Sequence, residues 1–110
     1  MILSTDLWAS ALIRRAELAG AYAAVLRKGD ARAGAVLVKV VNRRAGEARL
    51  YAQAVRGDGE TVWMQPHADA AEAQLDAYVE RAARVDPDLW VVEIDDVQGR
   101  HFLTETVEKS

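Results

Sequence analysis

The chain has no cysteine, so disulfides, thiolate metal sites and cysteine nucleophiles are excluded, and a reducing cytoplasm is the expected setting. Serine is scarce: Ser4, Ser10 and Ser110 are the only three, and none sits in a strand-to-helix elbow. Histidine is limited to His67 and His101, too few for a site of three or four convergent ligands unless carboxylates complete it. No glycine-rich phosphate loop occurs, because the seven glycines fall at turns and form no G-x-x-x-x-G-K or G-x-G-x-x-G pattern. The alanine-rich apolar stretch of eight residues from Ala19 to Leu26 is far short of a membrane span. Met1 to Asp6 lack the basic and apolar regions of a signal peptide. No metal or cofactor is therefore expected, and no membrane association.

What is present suits one globular domain over residues 1–110. Hydrophobic residues make up 51% and charged residues 28%, which excludes a disordered chain. Charge is uneven. Residues 1–56 hold ten Lys/Arg against four Asp/Glu, a net +6; residues 57–110 hold four against thirteen, a net −9; together they give the −3 of the whole. Such a split suggests an interaction role for the basic half, or simply opposite charges meeting in the fold.

Only two prolines punctuate the chain, Pro66 and Pro87, and both flank one helical segment. The spacing of Trp8, Leu12, Ala16 and Ala19 predicts a first helix from Asp6 to Ala19, stopped by Gly20, although Leu7 to Arg14 also alternates as a strand would. Tyr22 to Lys28, Gly34 to Arg43, Ala48 to Arg56 and Thr61 to Gln65 read as strands joined by short turns, which predicts an antiparallel meander. Asp69 to Arg84 reads as the second helix. Asp69 and Glu72 have capping-box spacing, and Ala71, Leu75, Tyr78, Val79 and Ala82 form its apolar stripe. Leu89 to Asp95 is a further strand with Trp90, Val92 and Ile94 on one face; Arg100 to Leu103 are expected to pair back, and residues 104–110 to fray. The expected architecture is α+β: an antiparallel sheet of about five strands with two helices on one face. Its core should hold Leu12, Leu18, Val36, Val38, Val40, Leu50, Val62, Leu75, Tyr78, Val79, Trp90, Val92 and Ile94.

Three segments carry a resemblance to known sequences: Leu7 to Gly20; Arg27-Lys28-Gly29-Asp30 with Ala33 to Val40; and Asp86 to Asp96, closed by Gly99-Arg100-His101-Phe102-Leu103. Together they resemble a family of small bacterial proteins classed only as a domain of unknown function. The resemblance spans nearly the whole chain. It implies a compact bacterial protein and brings no activity, ligand or catalytic residue with it.

The residues themselves offer two candidate sites. If Val36, Val38 and Val40 point to the helices, Lys39, Arg49, Tyr51 and Trp63 share an outer sheet surface. Aromatic rings beside cations suit a protein interface, including a homodimer, or stacking of single-stranded nucleic acid. The acidic pI of about 5.3 weighs against nucleic acid. The second candidate joins Arg14 and Arg15 with Glu93 and Asp95 as a small enzyme's site or an anionic-ligand site. Arg15 falls inside the apolar stripe of the first helix, where a charge must reach water or a partner, whether an acid of the second half or an anion shared with Arg14. Glu93 and Asp95 lie on one face of a strand, spaced for acid/base work or a hard cation. With no convergent catalytic set, the sequence favours a non-enzymatic interaction module over an enzyme.

Overall fold

The computed structural model describes residues 4–108. Its elements run α1 (Thr5–Leu18), β1 (Tyr22–Arg27), β2 (Val36–Asn42), β3 (Glu47–Val55), β4 (Thr61–Met64), α2 (Glu72–Val85), β5 (Trp90–Asp95) and β6 (Thr106–Val107). The six strands form one open sheet in the order β1-β5-β2-β3-β4-β6. The meander expected for β2, β3 and β4 is present, with both pairs antiparallel. The sheet as a whole is mixed, because β5 lies parallel to β2 and β6 parallel to β4. The reason is the crossover: α2 carries the chain from β4 back over the sheet, and a strand that follows such a helix enters in the original direction.

The second correction concerns the helices. They cover opposite faces rather than one. Ala9, Leu12 and Ala16 of α1 pack with Val36, Val38, Val40, Tyr51, Trp63, Val92 and Ile94. Leu75 of α2, with Tyr78, Val79 and Ala82 beside it, packs with Leu37, Leu50, Leu89 and Val91. β2 explains this arrangement: Val36 to Val41 is buried without interruption, so it needs a cover on each side. Of the expected core only Leu18 is misplaced; it ends α1 and is 76% exposed.

α1 starts against the β1–β2 loop, where the Thr5 and Asp6 amides donate to the carbonyls of Arg32 and Ala31. This satisfies donors that a helix start leaves open. It ends at Gly20, whose φ of +91° is the left-handed turn expected there. The start of α2 differs from the expected Asp69/Glu72 box. Ala71 is the N-cap, and Gln74 Oε1 accepts from its amide at 3.0 Å, half of a capping box two residues further on.

Arg100 to Leu103 form no strand. The strand that does pair back is β6, within the stretch expected to fray. Glu108 N donates to the Trp63 carbonyl at 2.7 Å, and the Glu108 carboxylate takes Arg56 Nε at 2.9 Å, so these polar side chains fasten the segment to β4. Residues 109 and 110 lie outside the described residues.

Candidate functional site

The residues of the proposed outer surface do not all share a face. β3 closes its hairpin on β2 with Asn42 opposite Glu47, which sets Val38 opposite Tyr51 and Lys39 opposite Leu50. Tyr51 and Trp63 therefore share the Val38 face, beneath α1, and Lys39 lies on the other face, beneath α2. Arg49 is exposed, opposite Val40. The error is one of register between β2 and β3; the assignment of Tyr51 and Trp63 to a common face is kept. Trp63 is fully buried, stacks on Trp8 with ring centroids 5.4 Å apart, and gives its indole N–H to Glu105 Oε1 at 2.9 Å. Tyr51 meets the edge of His101 at 5.1 Å. Burial pushes the Tyr51 phenol up and the His101 imidazole down, so both favour their neutral forms. Neither Tyr51 nor Trp63 offers a ring face to a nucleobase.

The second constellation is also divided. Arg15 leaves the apolar stripe of α1 by donating Nε and Nη2 to the Phe102 carbonyl, at 3.2 and 2.9 Å. Its partner belongs to the second half of the chain but is a carbonyl, not a carboxylate. Arg14 is exposed. Glu93 and Asp95 lie across the sheet, on the face that holds Lys39, in register with Lys39 and Val41. They make no site with the arginines.

Lys39 is the centre of a different cluster. Its Nζ lies 2.7 Å from Glu72, 2.6 Å from Asp76 and 3.5 Å from Glu93, and Arg43 joins Glu72 at 3.0 Å and Glu93 at 3.7 Å. Burial alone would push the Lys39 ammonium down, but its hydrogen bonds to Asp76 and Glu72 outweigh that and hold it above its ordinary value. The same bond from Lys39 holds Glu72 below the usual carboxylate range. Lys39 fastens α2 to the sheet, and it neutralises the carboxylate that the sequence offered for acid/base work.

A third cluster went unseen in the sequence. The buried Asp96 carboxylate accepts from the amides of Gln98 and Arg100 and from Arg100 Nε and Nη2, both at 2.9 Å. Arg100 holds its pKa down to about 2. Arg100 also reaches the Ala19 carbonyl and covers the Phe102 ring at 5.0 Å. The spacing of an acid and an arginine four residues apart around Gly99 was the available signal. The arrangement ties the end of β5 to the end of α1.

With these groups engaged internally, the sheet's outer side at β1 stands out. β1 pairs with β5 along one side, through Tyr22 opposite Asp95 and Ala24 opposite Glu93, with a bulge between Val25 and Arg27. Among the described residues no strand lies beyond it. Tyr22 is 76% and Leu26 57% exposed, with Val25 also exposed and Leu18 nearby in the chain at the end of α1.

The model of a protein of unknown function, DUF1491, matches residues 3–104. The chain belongs to the DUF1491 family. A crystal structure of a DUF1491 family protein from Caulobacter crescentus CB15 is 70% identical, over 97% of this chain and all of that one, with a TM-score of 0.94. An NMR structure of a DUF1491 family protein from the same organism is also 70% identical, over 98% of each chain, with a TM-score of 0.92. The solution structure of protein Atu0922 from A. tumefaciens is 34% identical over 98% of each chain, with a TM-score of 0.82. No curated protein matches the chain.

The segments that suggested a family of unknown function have concrete roles in this DUF1491 fold. Leu7 to Gly20 is α1 and its turn. The loop through Gly29-Asp30 and Gly34 lies flush on the Asp88–Trp90 backbone: a Cβ on either glycine would run into the Asp88 carbonyl. Asp30 N donates to that carbonyl at 3.0 Å, and Trp90 Nε1 donates to the Asp30 carbonyl at 2.7 Å. Asp86 to Asp96 is the entry to β5, the strand itself and the acid of the Arg100 pair.

Proposed function

We propose that this DUF1491 protein is a non-enzymatic, cytoplasmic interaction module that associates with a second copy of itself through the outer edge of β1. The sheet face first considered for docking is closed by the chain's own helices, so the association moves to the edge. The observation that carries this reading is the open side of β1, where backbone groups unpaired by any strand are flanked by exposed Tyr22, Val25 and Leu26. Such an edge is a template for another strand.

A two-fold axis through Ala24 lets two β1 strands run antiparallel. Ala24 then faces its own copy, and Tyr22 faces Leu26 of the partner subunit. Charge agrees with that direction. The basic end of one strand, Arg27-Lys28, is brought to the end of the other where Asp95 sits beside Tyr22. The ionic groups beneath α2 are matched internally and the aromatic groups beneath α1 are buried, and both features favour an interaction module over an enzyme. The cytoplasmic setting rests on the absence of cysteine, and no helix among the described residues is long and apolar enough to cross a membrane.

A six-residue edge makes a small interface, so a dimer with a micromolar dissociation constant is expected in sedimentation velocity across a concentration series. Ala24→Lys sets like charges against each other at the axis and should leave a monomer of unchanged circular dichroism. Mixing Ala24→Lys with Ala24→Glu should restore the dimer. A wild-type chain that stays monomeric at the highest soluble concentration overturns the reading.

A further inference from the structure

A groove of about 470 Å³ lies beside the last turns of α2, with Tyr78, Ala82, Val85 and Leu89 as its apolar walls and His67 and Arg81 at its polar side. A smaller hollow of about 230 Å³ shares His67 and Arg81 and extends along α2 to Ala77 and Gln74. The volume is within the range of small-molecule sites, and the mix of apolar wall with few polar groups is their usual composition.

Two observations point to the ligand's chemistry. Arg81 is exposed and makes no ion pair among the described residues. Its neighbours one turn away on α2 are Ala77, Tyr78, Arg84 and Val85, none of them acidic, so its own helix cannot neutralise it. His67 has a backbone φ of +54°, a left-handed conformation uncommon for a residue with a side chain, and its ring stands edge-on to Tyr78 at 5.7 Å. The ring thus holds the Pro66–His67 turn against the groove wall, and His67 lines the same space as Arg81. Asp86 also lines the groove, with its Oδ1 taken by the Asp88 amide at 3.0 Å.

We propose that this groove binds a small organic carboxylate with an aromatic or branched apolar body, the body lying along Tyr78, Val85 and Leu89 and the carboxylate meeting Arg81 and His67. Arg81 supplies a forked donor that matches a carboxylate, and no acid stands three or four residues from it on α2. The site is independent of the β1 edge.

The test is a ¹⁵N-HSQC titration of the full chain with 3-phenylpropionate, 2-phenylethylamine and propionate as probes. Phenylpropionate should give saturable shifts confined to His67, to the α2 residues from Tyr78 onward and to Leu89. The amine, which lacks the carboxylate, and propionate, which lacks the body, should each bind at least about tenfold more weakly. Arg81→Gln and Val85→Asp replace exposed side chains, so the fold should persist, and each should weaken phenylpropionate by about tenfold. Ala24→Lys should change nothing. Absence of saturable shifts, equal binding of amine and acid, or an unaffected Arg81→Gln variant would each overturn the proposal.

Discussion

The two faces of the sheet are sealed by different physics. Under α1 the contact is aromatic: Trp63 is buried against Trp8, Tyr51 and Trp90 lie in the same cluster, and hydrogen bonds from Trp63 and Arg15 tie down Glu105 and the Phe102 carbonyl. Under α2 the contact is aliphatic, with a charged rim where Lys39 and Arg43 meet Glu72, Asp76 and Glu93. Large ring surfaces removed from water stabilise strongly, and cavities left by their loss collapse poorly. Ion pairs with one exposed partner return little after desolvation. The α1 face should therefore carry more of the stability, and the α2 face more of the register.

The sharpest break of that contrast is Trp63→Ala, which should cost about 3–5 kcal/mol in denaturant unfolding because it empties the aromatic layer and strands Glu105. A loss below about 1 kcal/mol would show that the layer adds little. Next comes acid. Asp96 titrates at about 2 when folded, below its ordinary 3.8, so its contribution is complete above the ordinary value and is lost as pH falls through about 2. Roughly 1–2 kcal/mol should disappear over that window in acid unfolding curves, and Asp96→Asn should already lack it at pH 7. The smallest effect is expected for Lys39→Met. An apolar chain fills the space, and Glu72 and Asp76 can turn to water, so stability should move by about 1 kcal/mol or less. A measured loss near 4 kcal/mol would reverse the ranking of the two faces.

Which parts of this were legible follows from where the sequence pattern holds information. α2 and β5 show clear periodicity, and the turns at Gly20 and at Gly57 to Gly59 separate α1 from β1 and β3 from β4, so these elements are readable, though the start of α2 and the strand β6 are not. The faces were not, because Val36 to Val41 is apolar apart from Lys39 and buried on both sides, which gives little parity to anchor β2. A signal did exist. The Arg43 to Gly46 turn sets Asn42 against Glu47, and counting back from there puts Lys39 opposite Leu50. Missing that count moved Lys39 onto the wrong surface and kept a docking face open that α1 in fact covers. Glu93 and Asp95 were rightly assigned to one strand face, but the lysine that engages Glu93 comes from β2, a contact that only topology reveals. Nor does composition distinguish an edge strand from an inner one, so Tyr22 and Leu26 gave no hint that β1 would stand at the margin.

The position of β5 reaches beyond the finished molecule. β1 and β2 follow one another in the chain yet are not neighbours; β5, arriving some sixty residues after β1, occupies the slot between them and bonds to both. Until that late segment emerges during synthesis, the middle of the sheet stays vacant and its valine-rich walls stay wet. Assembly must then proceed by wedging a strand into a waiting gap, an entropically distant event that makes this small protein a slow folder for its size.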